Sequence, residues 1–383
     1  MSTTRSATPL TIICKTFADR LNASARPGDF VARLGGDEFA IVLEDVSGAA
    51  DLLAVGGRII ERLRKPTRFD GRLVGATATI GGALFPADAG NAHDLFKNAD
   101  TALYALKAAG RGGTKMFHNH MREQAQKVSS QLGLARVALS ERSVVPFYQP
   151  KIRLSDGALD GFEALLRWHH PRLGIQMPDT VAEAFKDYQL ASAIGELMQA
   201  RVVDDIKMWT AAGVDFGRIS INAAPAEFLR DDYAERLLAL LEAKQVSPSL
   251  IEVEVTEHVF LDRGSDYVGR ALSELTRAGV RIALDDFGTG YSSLSHLRDF
   301  PVDVVKIDRS FIERMLADAE IAAIVAAVVN LAHSLSIEVV AEGIEREEQR
   351  QFLRDQACTF GQGYLFGAAV EASQVAGIVA RTG

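Results

Sequence analysis

The chain of 383 residues has little cysteine, no excess of basic charge and no long apolar run. Its two cysteines, Cys14 and Cys358, form no C-x-x-C pair, which excludes a disulfide framework and a cysteine zinc site and favours a reducing, cytoplasmic location. With 42 basic against 50 acidic residues, we expect no nucleic acid polymer as a partner, because such proteins hold phosphates with basic side chains. The sequence shows no signal peptide and no run of 18 apolar residues, so we expect no membrane insertion.

The residues that are present predict two folded parts and a connecting helix. Residues 1–117 alternate helical and extended stretches, with a hairpin signal at RLGGDEFAIVL (33–43). Residues 118–142 are polar and helix-prone, and we interpret them as a linker helix. Residues 143–383 contain eight β-rich runs, which are 144–152, 159–168, 218–222, 250–257, 280–286, 302–308, 337–343 and 360–367.

Most of these eight runs are separated by helical stretches, a pattern typical of a closed β/α barrel. The first two runs are joined only by RLSDGA (153–158), which is too short for a parallel crossover. We therefore predict an α/β chain with a TIM-like (β/α)8 barrel whose first strand pair is antiparallel, preceded by a partial α+β domain.

Polar residues recur in or at the ends of the predicted barrel strands. Because the carboxyl ends of barrel strands meet at one mouth, we expect these side chains to converge there. Close carboxylates repel unless they are paired or bind metal, and oxygen donors without His or Cys favour Mg²⁺ or Mn²⁺. The set is larger than one Mg²⁺ usually takes, so two ions are expected, with these residues around them: Glu163, Asn222, Glu254, Asp285, Asp286, Lys306 and Glu342.

The doublet Asp285–Asp286 would send its side chains to opposite faces of a regular strand. At a strand end the chain leaves the pleat, so both carboxylates can reach the mouth and hold two metals about 3.5–4 Å apart. Lys306 would stay charged among the acids and orient water or stabilise charge. The loop FGTGYSS (287–293) would supply flexible backbone beside the site.

Each residue also has an ordinary structural explanation. A strand-end aspartate often caps a helix, Asn222 can serve a turn, and Glu257 can cap the next helix. Lys306 can pair with Asp308 at the surface, and GGDEF alone can be a hairpin turn. The joint placement on successive strand ends is what favours the metal site.

Six stretches occur in a fixed order in the second half of the chain. They are FEALLRWHHP (162–171), EVTE (254–257), DDFGTGYSSL (285–294), VVKIDRSFI (304–312), VAEGIE (340–345) and GQGYLFG (361–367). Together they resemble the EAL family of cyclic di-GMP phosphodiesterases over residues 140–383. The resemblance implies metal-dependent hydrolysis of cyclic di-GMP to linear pGpG, with Mg²⁺ or Mn²⁺ as two ions per site.

The resemblance also implies residue roles. The first metal-binding set of the family corresponds to Glu163, Asn222, Glu254 and Asp285, and the second site shares Asp285 and adds Asp286 and Glu342. We predict as catalytic residues Lys306, which matches the lysine contacting the hydrolytic water, Glu163, and Glu257, which matches the glutamate that steadies the loop after the aspartate pair. The positions that contact the dinucleotide or support the site correspond to Gln149, Arg167 and Gln362.

Residues 20–117 resemble the GGDEF family of diguanylate cyclases, so the first domain is expected to be nucleotidyl-cyclase-like. Its signature begins at Gly35, with 34 residues ahead of it, and no partner acid is evident for Asp37 and Glu38. We therefore expect this domain to be truncated and catalytically inactive. Arg26 and Asp29 match the family's inhibitory nucleotide site, with a surface ion pair as the alternative.

Ala224 stands where the EAL family usually carries serine, two residues after Asn222, but no residue needed for hydrolysis is lost. We expect an active phosphodiesterase, and the alternative is a receptor that binds cyclic di-GMP without cutting it. The resemblance also implies a homodimer. Because no sensor domain is evident, a sensor partner protein is expected to supply the signal.

Overall fold

The computed structural model describes residues 9–69, 72–74, 77–108, 110, 112–260, 265–288 and 294–382. The chain divides into two compact units, Met1–Ser129 and Ser130–Gly383. The predicted linker at 118–142 is helical over Asn119–Ser140, and the boundary between the units falls inside this helix. Among the described helices, none combines the length and the apolar character needed to cross a membrane.

The first unit is built of short strands and amphipathic helices. Its elements are α1 (Pro9–Asn22), β1 (Phe30–Gly35), β2 (Glu38–Val42), α2 (Ala49–Arg64), β3 (Thr67–Phe69), β4 (Arg72–Val74), β5 (Thr79–Gly82), α3 (Ala92–Ala108), β6 (Gly113–Met116) and the start of α4 (Asn119–Ser140). The predicted GGDEF hairpin is the antiparallel pair β1–β2, while β3–β4 is antiparallel and β5–β6 parallel. Apolar side chains of α2 form the core of this unit with Leu21, Phe39 and Ile41.

The strands of the second unit carry the site. They are β7 (Val144–Arg153), β8 (Leu159–His170), β9 (Gly174–Gln176), β10 (Arg218–Ala223), β11 (Ile251–Thr256), β12 (Arg281–Phe287), β13 (Val304–Ile307), β14 (Glu338–Ala341), β15 (Phe360–Gln362) and β16 (Val370–Glu371).

Helices surround these strands. They are α5 (Tyr188–Ala211), α6 (Tyr233–Lys244), α7 (Ser265–Ala278), α8 (Leu294–Asp299), α9 (Arg309–Arg314), α10 (Ala319–Ser334), α11 (Glu347–Asp355) and α12 (Ala372–Thr382). Short 3₁₀ segments span Pro178–Lys186, Pro225–Leu229, Pro248–Leu250 and Glu257–Phe260.

Eight strands close into a barrel, which confirms the predicted fold. The order around the ring is β7, β8, β10, β11, β12, β13, β14 and β15, and β15 pairs back onto β7. β7 is antiparallel to both of its neighbours, and all other neighbours in the ring are parallel. The short RLSDGA connection predicted this reversal of the first pair.

Alternation along the strands decides what enters the barrel. In β11, Val253 and Val255 join the core between the strands and the helices, while Glu252 and Glu254 lie on the opposite face. The inner face has an apolar cluster of Ala283, Val304, Val340 and Phe360. Below the mouth, a buried ion pair joins Lys151 Nζ to Glu252 Oε1 at 2.8 Å.

Candidate active site

Lys306 is the centre of a cluster of acidic side chains inside the barrel. Its Nζ lies 2.5 Å from Glu254 Oε2 and 2.6 Å from Glu342 Oε1. Glu163 Oε2 at 3.3 Å and Asp285 Oδ1 at 3.5 Å complete the contacts. Because β13 and β8 are not neighbours in the ring, the contact between Lys306 and Glu163 crosses the barrel interior. The structure therefore brings these five predicted residues together.

Strand register places the remaining acid–amide contacts. Asn222 lies opposite Glu254 in the parallel pair β10–β11, and Gln149 lies opposite Glu163 in β7–β8. Asn222 Nδ2 donates to Glu163 Oε1 at 2.8 Å, and Gln362 Nε2 donates to Glu163 Oε2 at 2.7 Å. Both oxygens of this buried carboxylate are thus oriented by amide donors.

The doublet Asp285–Asp286 interrupts the extended strand. Asp286 has a φ of 56°, in the left-handed region that Asp tolerates better than most residues. Its backbone N–H donates to Asp285 Oδ1 at 2.9 Å, and the register of β12 against β13 shifts between Leu284 and Phe287. The pleat therefore ends at the doublet, which is the condition under which both acids can serve one mouth.

Glu257 and Asp308 can now be placed. Glu257 is buried, and its Oε1 accepts the backbone N–H of Gly288 at 3.3 Å, at the start of the loop after the doublet. Residues 289–293 of that loop lie outside the described residues. Asp308 caps α9 by accepting the N–H of Ser310, so the alternative of a surface pair with Lys306 is wrong because Lys306 is buried among other acids.

The predicted dinucleotide-contacting residues lie at or above the level of Glu163. Gln149 accepts a hydrogen bond from Gln362 Nε2 at 3.1 Å and donates to the carbonyl of Gly367. The half-buried Arg167 guanidinium lies 5.8 Å from the centre of the Phe147 ring and donates to the Leu166 carbonyl.

The cluster of Lys306 and its four acidic neighbours has more negative than positive charge, and this excess shifts the pKa values of its members. Burial would lower the pKa of Lys306, but the carboxylates, Asp285 and Glu163 foremost, outweigh burial and hold it well above 10.5. Burial, together with the charge of Glu163, raises the pKa of Glu254 well above its ordinary value, against the opposing effect of Lys306. Burial also raises the pKa of Glu342 to about 8. One ammonium does not neutralise four carboxylates, and the raised pKa values of Glu254 and Glu342 reflect this surplus of negative charge.

The cluster fits divalent cations in chemistry. Among the described residues no three acidic, histidine or cysteine side chains already form a metal cage, because the acids close on Lys306 instead. The candidate metal ligands at this mouth offer carboxylate and amide oxygens, which are the ligands of Mg²⁺ and Mn²⁺. The surplus of negative charge is what such ions would neutralise.

Arg26 and Asp29 lie in the turn before β1, in the first unit. The carboxylate of Asp29 accepts the backbone N–H groups of Arg26 at 2.6 Å and of Glu44 at 3.3 Å. The side chain of Arg26 is exposed. Asp29 therefore organises its own turn, and the nucleotide site stays a prediction.

Comparison with known families agrees with this geometry. Residues 134–369 match the family model described as EAL domain. The chain belongs to the EAL domain family. Residues 12–113 match the model described as diguanylate cyclase, GGDEF domain. The EAL match begins inside α4 and includes every residue named above in the barrel.

Three relatives cover most of the chain. MucR of Pseudomonas aeruginosa, named a bifunctional diguanylate cyclase/cyclic di-GMP phosphodiesterase, is 36% identical over 95% of this chain and 53% of its own length. An uncharacterized signaling protein of Caulobacter vibrioides is 39% identical over 91% of this chain and 43% of its length. The cyclic di-GMP phosphodiesterase NbdA of Pseudomonas aeruginosa is 33% identical over 92% of this chain and 45% of its own length. The chain thus spans about half the length of these relatives.

Solved structures resemble the barrel. The phosphodiesterase PaMucR in complex with c-di-GMP has a TM-score of 0.60 and 36% identity, over 64% of this chain and 99% of that one. The EAL enzyme Bd1971, bound to cAMP and cyclic-di-GMP, has a TM-score of 0.63 and 30% identity, over 67% and 70%.

Sequence reasoning missed two contributors to this mouth. Phe147, on β7, packs under Arg167, and strand alternation with Gln149 was the signal for it. Glu227, in the 3₁₀ segment after β10, is buried and anchors the turn after Asn222. A capping box begins with Ser or Thr, and alanine stands at position 224, so the sequence carried no clear signal for Glu227.

Proposed function

We propose that this EAL domain hydrolyses one phosphodiester bond of cyclic di-GMP to give linear pGpG, in a reaction that needs Mg²⁺ or Mn²⁺. The observation that carries the proposal is the contact of Lys306 with four carboxylates at one barrel mouth. The printed names of MucR and NbdA, and the c-di-GMP complex of PaMucR, support the substrate and the reaction.

The metal ligands are proposed from the donor set together with the correspondence to the EAL family described above, which divides them between two ions. One ion would be held by Glu163, Asn222, Glu254 and Asp285, and a second by Asp285, Asp286 and Glu342. Bound divalent cations would acidify water and neutralise charge on the phosphate. Asn222 and Gln362 orient Glu163 before any ligand arrives, because both amides donate to its carboxylate.

Lys306 supplies positive charge and N–H donors. In the metal-free barrel the surrounding carboxylates hold its pKa well above the ordinary value and favour the ammonium form, which has three N–H donors. A hydrogen bond from Nζ can orient the attacking water and stabilise the negative charge that develops on the phosphate oxygens. The Arg167 guanidinium, half exposed on the same face of β8 as Glu163, suits the second phosphate of the dinucleotide.

Nucleotide product analysis tests the proposal. The full chain is incubated with cyclic di-GMP and Mg²⁺, Mn²⁺ or EDTA, and a working phosphodiesterase serves as positive control. We expect pGpG with either metal and none with EDTA. Folded protein that binds cyclic di-GMP but forms no pGpG at any metal concentration would establish the receptor alternative instead.

The remaining proposals concern the whole protein. We infer that the protein is a cytoplasmic homodimer and that a sensor partner regulates it. Light scattering of the purified chain measures its molar mass in solution and so tests the dimer. The inactivity of the GGDEF region stays a prediction. Incubation with GTP tests it, since formation of cyclic di-GMP would contradict it.

A further inference from the structure

The turn after β10, which follows Asn222, offers few hydrogen-bond partners for its own backbone groups. Ala224 occupies the capping position of the 3₁₀ segment Pro225–Leu229 but has no side-chain acceptor, and Pro225 has no N–H group. The N–H of Ala224 instead donates to Glu227 Oε1 at 2.9 Å. Only this half of a capping box is chemically available, since an alanine side chain accepts no hydrogen bond.

Glu227 is itself held by helix α5. Its side chain is buried, with 3% of the residue exposed, and it packs on Gly195. A Cβ built on Gly195 would lie 2.2 Å from Glu227 Oε2 and 3.0 Å from Oε1. A side chain at position 195 would have to displace this buried carboxyl, so the glycine allows α5 to pack directly against Glu227 and hold it at the turn.

Asn222 lies two residues before the anchored N–H. It ends the inner face of β10, is exposed at the mouth, and orients Glu163 through a hydrogen bond of 2.8 Å. We propose that Glu227, seated on Gly195, is a positioning residue that fixes the amide of Asn222 for metal binding and substrate turnover. This inference rests on the proposed function, because it assigns Asn222 to the metal site.

The physical link is the rigidity of a short turn. When the acceptor at Glu227 is absent, the Ala224 N–H lacks its partner, and the chain that leaves β10 between Ala223 and Pro225 can shift and disturb the strand end that carries Asn222. Residues that orient a metal ligand typically change metal affinity by 10–100-fold when lost, as an order of magnitude. The effect belongs to metal binding, and is separate from general loss of stability.

Two matched pairs of variants test this. Glu227→Met keeps the side-chain volume but removes the acceptor, whereas Glu227→Gln keeps both. Gly195→Ala introduces a methyl group into the close contact, whereas Gly133→Ala, in α4, adds one where no atom lies within 4 Å. Mn²⁺ binding to the substrate-free full chain is measured by calorimetry, and KM and kcat for cyclic di-GMP are measured at saturating and limiting Mg²⁺.

We expect Glu227→Met and Gly195→Ala to weaken Mn²⁺ binding about 10-fold and to raise the Mg²⁺ concentration for half-maximal rate equally. Glu227→Gln and Gly133→Ala should stay within about twofold of wild type. Wild-type Mn²⁺ affinity in both Glu227→Met and Gly195→Ala, with a lower melting temperature as the only change, would overturn the positioning role. A wild-type chain that binds no Mn²⁺ would instead overturn the metal site itself, and the role with it.

Discussion

Lys306 Nζ and Glu254 Oε2 are 2.5 Å apart inside the barrel, and each side chain is 2% exposed. Burying an ion pair away from water is costly unless further contacts compensate for the lost hydration. Here the charges do not balance, because three more carboxylates, those of Glu163, Asp285 and Glu342, face the same ammonium. The metal-free mouth is therefore held together by one lysine and is poised to accept more positive charge.

Replacing Lys306 by methionine should destabilise the metal-free barrel. Four carboxylates would lose their shared cation, and removing one partner of a buried pair costs about 3–5 kcal/mol. Added Mg²⁺ should restore much of the melting temperature, while turnover of cyclic di-GMP should fall at least about 100-fold. Both tryptophans, Trp168 and Trp209, lie in the second unit, so thermal melts followed by tryptophan fluorescence report on the barrel.

A suitable control is Lys244→Met, which removes an exposed pair with Asp204. Surface pairs contribute about 0–1 kcal/mol, so this variant should melt close to wild type with or without Mg²⁺. Equal behaviour of the two lysine variants in EDTA would contradict the central role of Lys306.

Glu163→Gln should abolish turnover and leave the fold intact. The new NH2 group would replace one of the two oxygens and face a donor, either Asn222 at Oε1 or Gln362 at Oε2, and a proposed metal ligand would be lost. We expect kcat to fall at least about 100-fold, with Asp285→Ala behaving alike. Product analysis and circular dichroism measure the two quantities, and Glu347→Gln, at an exposed pair with Arg350, is the control. Retained turnover in Glu163→Gln would remove this residue from the site.

The ion pair below the mouth should matter for stability and much less for chemistry. Burial would raise the pKa of Glu252, but Lys151 outweighs it and holds this pKa at about 2. The folded-state pKa is depressed, so the stabilisation is present above the ordinary value of 4.5 and is lost as the pH falls toward 2. Lys151→Met should reduce the free energy of unfolding by about 3–5 kcal/mol at neutral pH.

Lys151 also contacts Asp160 Oδ2 at 3.4 Å, so two carboxylates lose their cation in Lys151→Met. Adding Glu252→Gln neutralises the more deeply buried of the two and keeps an acceptor for the Ser220 hydroxyl. The double variant should therefore recover part of the lost stability in urea unfolding followed by tryptophan fluorescence. A double variant no more stable than Lys151→Met would show that packing, and not the uncompensated charge, dominates the loss.

The sequence predicted the barrel well because strand runs, helices and the short RLSDGA connection are local signals. The residues at which individual strands end were harder to predict. The run at 360–367 is a strand only over Phe360–Gln362, because Gly363, with a φ of 154°, passes so close to Ile344 that a Cβ would meet its carbonyl oxygen at 2.2 Å. Contacts made by distant segments leave no local pattern.

The same distinction applies to the site. The acids of the barrel strands were predictable from alternation along each strand, and the observed register places Glu163, Glu254 and Asp285 on the inner face. Glu227 was not, because its burial depends on a glycine of α5 that gives no polar signal. The contacts of Lys306 with the acids were likewise not predictable, because they form only when the strands close into a ring.

Glu227→Gln should remove part of the pH dependence of barrel stability. Burial raises the pKa of Glu227 to about 8, against the opposing effects of the Ala224 N–H and Arg236 and with a small contribution from Glu196. Because the folded state binds this proton more tightly than the unfolded state, stability falls as the pH rises from about 4.5 to about 8, by at most roughly 1.4 kcal/mol per pH unit. The variant should match wild type near the acidic end of this range and be more stable at its basic end. Urea unfolding at several pH values in this range measures the difference in the free energy of unfolding between the two proteins. Glu342, whose pKa is also raised to about 8, is present in both proteins, so its contribution cancels in that difference. Parallel curves for the two proteins would mean that Glu227 is ionised in the folded barrel.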